Sequence, residues 1–233
     1  MSNRKEQVFS NARIVMSDSI INGCVQVVDG VICDISEQSL RSTSTPAMAS
    51  RCVVNCDGEY MIPGLVELHT DHLETHYSPR PGIRWGMMSA IQAHDAQICA
   101  AGITTVFDCM RLGNLSEENY QPGEMNALAN ALSLARRQHR LRSEHRLHLR
   151  CEVSAADVLD NFLEFDNNPY VGLVSLMDHA PGQRQFTSND AYAFYHQGKK
   201  NISDEEIADY LAIRVTASEK YSDKHRRELA LLC

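Results

Sequence analysis

Nowhere in this chain of 233 residues does an apolar run approach the roughly 20 residues that a membrane helix needs, so no membrane-spanning helix is expected. Met1 to Ser10 hold no apolar core of the kind a secretory signal carries, and the expected compartment is the cytoplasm. Basic residues are in the minority, 22 against 30 acidic, for a net charge of −8. That balance argues against general affinity for nucleic acid or anionic membranes, though it leaves room for a local basic pocket. There is no Gly-x-x-x-x-Gly-Lys-Ser/Thr loop, which sets aside a P-loop nucleotide hydrolase, and no Gly-x-Ser-x-Gly nucleophile elbow. Nor do the eight cysteines, Cys24, Cys33, Cys52, Cys56, Cys99, Cys109, Cys151 and Cys233, make a single Cys-x-x-Cys. Most sit in apolar or strand-like contexts, where a free thiol packs as a small hydrophobe, and a disulfide framework is the weaker reading.

What is present is ample material for a core, with 43% hydrophobic and 22% charged residues. Its arrangement divides the chain into an N-terminal β-domain over 1–60 and an α/β part over 61–233. The first part holds β-prone runs at Ala12 to Met16, Cys24 to Val28, Val31 to Ile35 and Cys52 to Asn55. Asp29-Gly30 is a two-residue hairpin signal, because glycine accepts positive φ. Ser36 to Ser50 is rich in Ser and Thr and reads as an exposed connection.

After Pro63 strands alternate with helices. Strands are expected at Val66 to Asp71, Ile103 to Phe107, Leu147 to Glu152 and Val171 to Met177. Helical patterns fall at Met88 to Ala101, around Met125 to Ala135 and at Asp157 to Phe165. Another opens at Ser203, with Glu206 completing a capping box, and runs toward Ser218; a separate amphipathic stretch carries Leu229 and Leu232. Such alternation is the signature of parallel βα units, whose chemistry gathers at the C-terminal strand ends. Asp71, Asp108, Glu152 and His179 all fall at such expected ends.

The most informative segment is Leu65-Val66-Glu67-Leu68-His69-Thr70-Asp71. On a strand His69 and Asp71, two residues apart, point the same way and can share a divalent metal. An isolated His-x-Asp is a weak signal, but its position at a strand end strengthens it. Glu152 is either a partner for Arg150 or a bridging metal ligand, and His179 is a third ligand or an acid–base group. Asp108 is either a site residue or the cap of the following segment. His76 reads as an ordinary exposed histidine. Two stiff loops follow metal-bearing strands: Ser78-Pro79-Arg80-Pro81-Gly82-Ile83-Arg84 and Pro181-Gly182-Gln183-Arg184. Their guanidinium groups, Arg80, Arg84 and Arg184, are suited to phosphate. Lys199 and Lys200 read as solvated charges.

Those residues carry a resemblance. Pro63 to Asp71, Ser78 to Gly82, Gly102 to Val106, Glu144 to Glu152 and Val174 to Phe186 together resemble the amidohydrolase superfamily. Within it they resemble the diphosphatase family that acts on α-D-ribose 1-methylphosphonate 5-triphosphate in the carbon–phosphorus lyase pathway of phosphonate catabolism. The resemblance implies a TIM-like (β/α) barrel, incomplete in this chain, with a small N-terminal β-sandwich-like domain. It implies a divalent cation, zinc first and manganese or magnesium next. It also implies a phosphorylated ribose phosphonate as substrate, with release of diphosphate. Relatives extend beyond the position of Cys233 with a histidine–aspartate block and a late aspartate. The expected partner is therefore a complementing C-terminal half or a second copy, and little diphosphate release is expected from this chain alone. A cyclic-amide hydrolase or deaminase on the same scaffold is the rival enzyme. A non-catalytic remnant is the rival from another class.

Overall fold

A computed structural model of the protein describes residues 5–37, 51–80, 82–113, 120–183, 188–200 and 203–233. The chain divides into two compact units, Met1–Gly64 and Leu65–Cys233. In the first, β1 (Glu6–Val15), β2 (Ile20–Val28), β3 (Val31–Ser36), β4 (Arg51–Asn55) and β5 (Tyr60–Met61) make one sheet in the order β3-β2-β1-β4. β5 also pairs with β1. The hairpin expected at Asp29-Gly30 is there, with φ of 51° and 84° and Val28 paired to Val31. Two positive φ values in a two-residue loop match the right-handed twist of the strands it joins. β1 is longer than its apolar pattern suggests, because a register shift between Phe9 and Ala12 lets one strand pair with β4 and then β5. Ala12, Ile14 and Val25 form this unit's small core. Most of the connection expected over Ser36 to Ser50 lies outside the described residues.

The second unit holds four parallel strands in sequential order: β6 (Leu65–Thr70), β7 (Ile103–Leu112), β8 (Glu144–Glu152) and β9 (Val171–Met177). They constitute half the complement of a closed (β/α) barrel. Between and after them run α1 (His72–Tyr77), α2 (Met87–Ala100), α3 (Glu124–Arg137), α4 (Val158–Leu163), α5 (Asn189–Lys200) and α6 (Asp204–Leu232). The fold is thus the incomplete TIM-like barrel with a separate N-terminal β-domain. Gly102 follows α2 at φ 78°, a conformation a β-carbon would disfavour, and turns the chain into β7.

The period of two along β7 and β8 decides what faces what. Met110 and Leu112 on β7, with Leu147, Leu149 and Cys151 on β8, enter the main core beside Ala90, Ile91, Leu128, Ala129, Leu132 and Val158 from the helices. Cys109 and Arg111, with His148, Arg150 and Glu152, therefore lie on the other face. At the far end, α6 is a single helix of 29 residues rather than two stretches. Its capping box at Ser203 and Glu206 is formed as the spacing suggests. What holds its second half is polar as well as apolar. Arg226 reaches Asp178 at 2.7 Å, His225 Nδ1 donates to the Val153 carbonyl at 3.0 Å, and Leu229 is fully buried. No helix among the described residues is long and apolar enough to cross a membrane. All eight cysteines are free thiols.

Candidate metal centre

His69 is the last residue but one of β6 and Asp71 follows the strand, with Nε2 and Oδ2 3.9 Å apart. The Asp71 carboxylate is taken by Arg150, whose Nη1 donates at 2.5 Å, while Arg150 Nε lies 3.2 Å from the Met177 sulfur. Arg150 thus pairs with Asp71 across two strands, not with Glu152 beside it in sequence. Glu152, at the end of β8, is 2% exposed and accepts from Ser154 Oγ at 2.5 Å and from the His179 backbone N–H at 3.2 Å. His179 Nδ1 meets its other oxygen at 2.5 Å. Burial pushes the Glu152 carboxyl up, but the hydrogen bonds from His179 and Ser154 and the nearby imidazole outweigh it, holding the pKa below the usual range. The four residues singled out for metal therefore form two pairs, His69 with Asp71 and Glu152 with His179. They do not appear as one set of mutually close donors among the described residues.

Two other sets do converge, each with donor atoms within 4.8 Å of one another: His69, Cys109 and His148, and His94, Asp108 and His145. The first lies within the strands, Cys109 three residues before the end of β7 and His148 four before the end of β8, with His69 next to the last residue of β6. Cys109 and His148 are register partners on β7 and β8, with Sγ 3.6 Å from Nδ1. The His69 and His148 rings meet edge to face at 5.1 Å. His148 Nδ1 also lies 3.1 Å from the Leu68 carbonyl, and its Nε2 lies 2.8 Å from Ser175 Oγ. Burial, reinforced by His69, lowers the His148 pKa, so this imidazole is neutral at physiological pH. Burial pushes the Cys109 thiol up to about 12. Cys109 reads in the sequence only as a small hydrophobe, and His148 only as a residue sharing a face with Arg150 and Glu152. The parity of β8 is the signal that could have found His148; the register that brings Cys109 to it leaves no trace in either segment.

The second set corrects an expectation. Asp108 does not end its strand, because β7 continues to Leu112, and its parity turns the carboxylate toward the helices. There it is fully buried, accepting from His94 Nε2 and His145 Nδ1 at 2.7 Å each. His145 Nε2 reaches Asp95 at 3.3 Å, and Asp95 also accepts from the Arg142 and Ser143 backbone N–H groups and from Arg142 Nη1. A carboxylate bonded this way is a tie between α2, β7 and β8, neither a strand-end site residue nor a helix cap.

The arginines divide. Arg84 donates through Nε to Glu124 at 2.6 Å and through Nη1 to Ser78 at 2.8 Å, and its guanidinium lies over the Tyr120 ring. Arg80 is exposed; its carbonyl accepts from the Ile83 N–H at 3.1 Å across a tight turn in which Gly82 has φ 74°. Arg184 lies outside the described residues, and so do the side chains of Lys199 and Lys200. His76 is bonded to Gln97 on α2 at 2.9 Å.

The four parallel strands fit the incomplete (β/α) barrel that the motifs imply, and the resemblance read from those motifs is borne out. Over 226 residues the chain is 33% identical to α-D-ribose 1-methylphosphonate 5-triphosphate diphosphatase of Escherichia coli (strain K12). The match takes in 97% of this chain and 58% of that enzyme, so the chain spans somewhat more than half the length of the curated relative it matches. No family model matches. Among solved structures, L-hydantoinase (dihydropyrimidinase) from Arthrobacter aurescens aligns with a TM-score of 0.46 and 19% identity, over 82% of this chain and 38% of that one. A triazine hydrolase variant aligns at 0.47 and 13% identity, over 84% and 51%.

Proposed function

We propose that this chain forms part of a metal-dependent hydrolase that converts α-D-ribose 1-methylphosphonate 5-triphosphate to the 5-phosphate and diphosphate. The observation that carries the reading is the 33% identity, sustained over nearly the whole chain, to an enzyme of that name. The donors present suit a divalent ion. His69 Nε2 and Asp71 Oδ2 open toward one point from the end of β6. The Glu152 carboxylate accepts from His179 Nδ1, which leaves His179 Nε2 its lone pair; this is the arrangement by which a carboxylate orients a ligating imidazole. His69, Asp71, Glu152 and His179 are thus assigned to the metal, either as ligands or, for Glu152, as the group that aims one. An imidazole-bearing donor set favours zinc over magnesium or manganese.

When bound, the metal supplies Lewis acidity toward a phosphoryl oxygen and acidifies a water. The residues of this chain do the rest. Arg150 donates to Asp71 and holds that carboxylate in place beside His69. Arg80 and Arg184 bind phosphate oxygens, offsetting charge that builds on them in the transition state. Arg84 serves the same site by bracing the Arg80 loop on Glu124; direct phosphate contact would require it to leave that carboxylate.

The test is diphosphate release from the ribose triphosphate, by the purified chain alone and mixed with the separately expressed part of the E. coli relative beyond the matched region. Release abolished by a chelator is the expected result. Release of ammonia from a cyclic amide, or no diphosphate in either preparation, overturns the reading.

A further inference from the structure

We propose that His69, Cys109 and His148 form a thiolate-containing metal site, which makes this centre selective for zinc-like ions that accept sulfur. The inference rests on the metal-dependent reading above and adds two ligands to it. Three adjacent parallel strands, β6, β7 and β8, each deliver one donor to the same face, with the donor atoms within 4.8 Å of one another. Cys109 and His148 stand directly opposite each other in the β7–β8 register, and His69 closes the triangle from the third strand.

The Cys109–His148 spacing, which also suits a sulfur hydrogen bond, matches that of two ligands on one ion. Zinc bonds of about 2.3 Å to sulfur and about 2.0–2.1 Å to nitrogen, at a tetrahedral angle, put the two donors about 3.5 Å apart. Cys109 Sγ and His148 Nδ1 are 3.6 Å apart. The contrast with the other converging set is direct. There Asp108 lies 2.7 Å from each imidazole, a spacing set by a shared proton and too short for two ligands of one ion. The support of His148 also fits. Ser175 Oγ lies 2.8 Å from Nε2 and can accept its N–H, fixing the tautomer that turns the Nδ1 lone pair toward Cys109. Without metal, Nδ1 carries the proton and donates it to the Leu68 carbonyl while Nε2 accepts from Ser175; when the ion takes Nδ1, the imidazole proton moves to Nε2 and is donated to Ser175 Oγ. The thiol proton leaves to solvent as sulfur binds, so one proton is released per ion. Asp71, 3.9 Å from His69, is placed to add an oxygen ligand. A soft thiolate beside imidazoles selects zinc, cobalt or cadmium against magnesium and manganese, which prefer oxygen.

The probe is Co2+ added to the purified chain, read by absorption. Wild type is expected to show a sulfur-to-cobalt charge-transfer band in the near ultraviolet, and Cys109→Ser is expected to lose it. Cys109→Ser is also expected to weaken zinc binding by at least about tenfold, the loss typical of removing even an outer partner. Ser175→Ala keeps the band and binds more weakly. A measurement on wild type alone guards against a variant that does not fold: X-ray absorption at the zinc edge, with one equivalent bound, should require a sulfur neighbour near 2.3 Å. Nitrogen and oxygen neighbours alone, or a charge-transfer band that survives in Cys109→Ser, overturn the proposal. Stoichiometric Co2+ binding with no sulfur band, lost in His69→Ala, overturns the thiolate while leaving the hydrolase reading in place. Absence of any stoichiometric metal overturns both.

Discussion

Replacing Asp108 by Asn should destabilise the βα unit severely while leaving the strand-end donors in place. The carboxylate is fully buried and is the shared acceptor for two imidazoles on two different elements, at 2.7 Å each. His145 has a carboxylate at each nitrogen, Asp108 on Nδ1 and Asp95 on Nε2, so both nitrogens donate and the ring is an imidazolium. An amide of the same shape can accept from one imidazole, but it turns its own N–H toward the other and removes half the counter-charge of a buried cation. Breaking a buried ion pair from one side costs about 3–5 kcal/mol. The one charged hydrogen bond lost, at about 1.5–3 kcal/mol, reaches the lower end of that range. With a urea slope of about 2 kcal/mol per molar, the unfolding midpoint should fall by about 1.5–2.5 M. Trp85, the lone tryptophan, lies in this unit and reports its unfolding by fluorescence. A second signature comes from pH. Burial pulls the His145 pKa down, but the bonds to Asp108 and Asp95 outweigh it and raise the pKa above 6.5. A raised folded pKa contributes stability that is fully present below the unfolded value and is lost as pH rises through the folded one. Wild type should therefore lose stability as the pH is taken up from about 6.5, and the variant should lose less over the same interval. A midpoint within experimental error of wild type, with an unchanged pH slope, would refute the buried-tie account.

Gly113→Ala should cost about 2–4 kcal/mol and weaken metal binding. Its φ is 94°, and a β-carbon there would lie 2.8 Å from that of Ala155 and 3.0 Å from the Glu152 carbonyl, which melting and zinc titration would register. Arg84→Ala should cost about 1.5–3 kcal/mol in thermal or urea unfolding by taking the guanidinium from Glu124, which keeps only its bonds from the Tyr77 hydroxyl and the Gln121 N–H. Normal stability combined with lost substrate affinity would instead make Arg84 a phosphate ligand. Arg184→Ala, assayed with the complementing C-terminal region, should weaken binding of the triphosphorylated substrate about tenfold and leave metal content alone; equal affinity in a binding titration would rule out its phosphate role.

By itself the sequence determined the alternation of strands and helices, because a period of two and a period of 3.6 are written into which residues are apolar. It determined the Asp29-Gly30 hairpin, the glycine after α2 and the Ser203 cap, since each depends on the local backbone chemistry of a few adjacent residues. That His69 and Asp71 lie side by side was legible for the same reason, and so was the shared face of His148, Arg150 and Glu152. The tertiary structure decided everything that depends on register between strands. One residue of parity turned Asp108 into the buried tie, and the extension of β7 to Leu112 moved the strand end past it. Register made Cys109 the neighbour of His148 and gave Asp71, rather than Glu152, to Arg150. It also left α6 continuous where the apolar pattern breaks, because Asp178 and Val153 hold polar residues of its second half. Local propensity sees only neighbours along the chain. Partners 27 to 79 residues away, such as His179 for Glu152 or Arg150 for Asp71, are chosen by how the strands line up as the core closes.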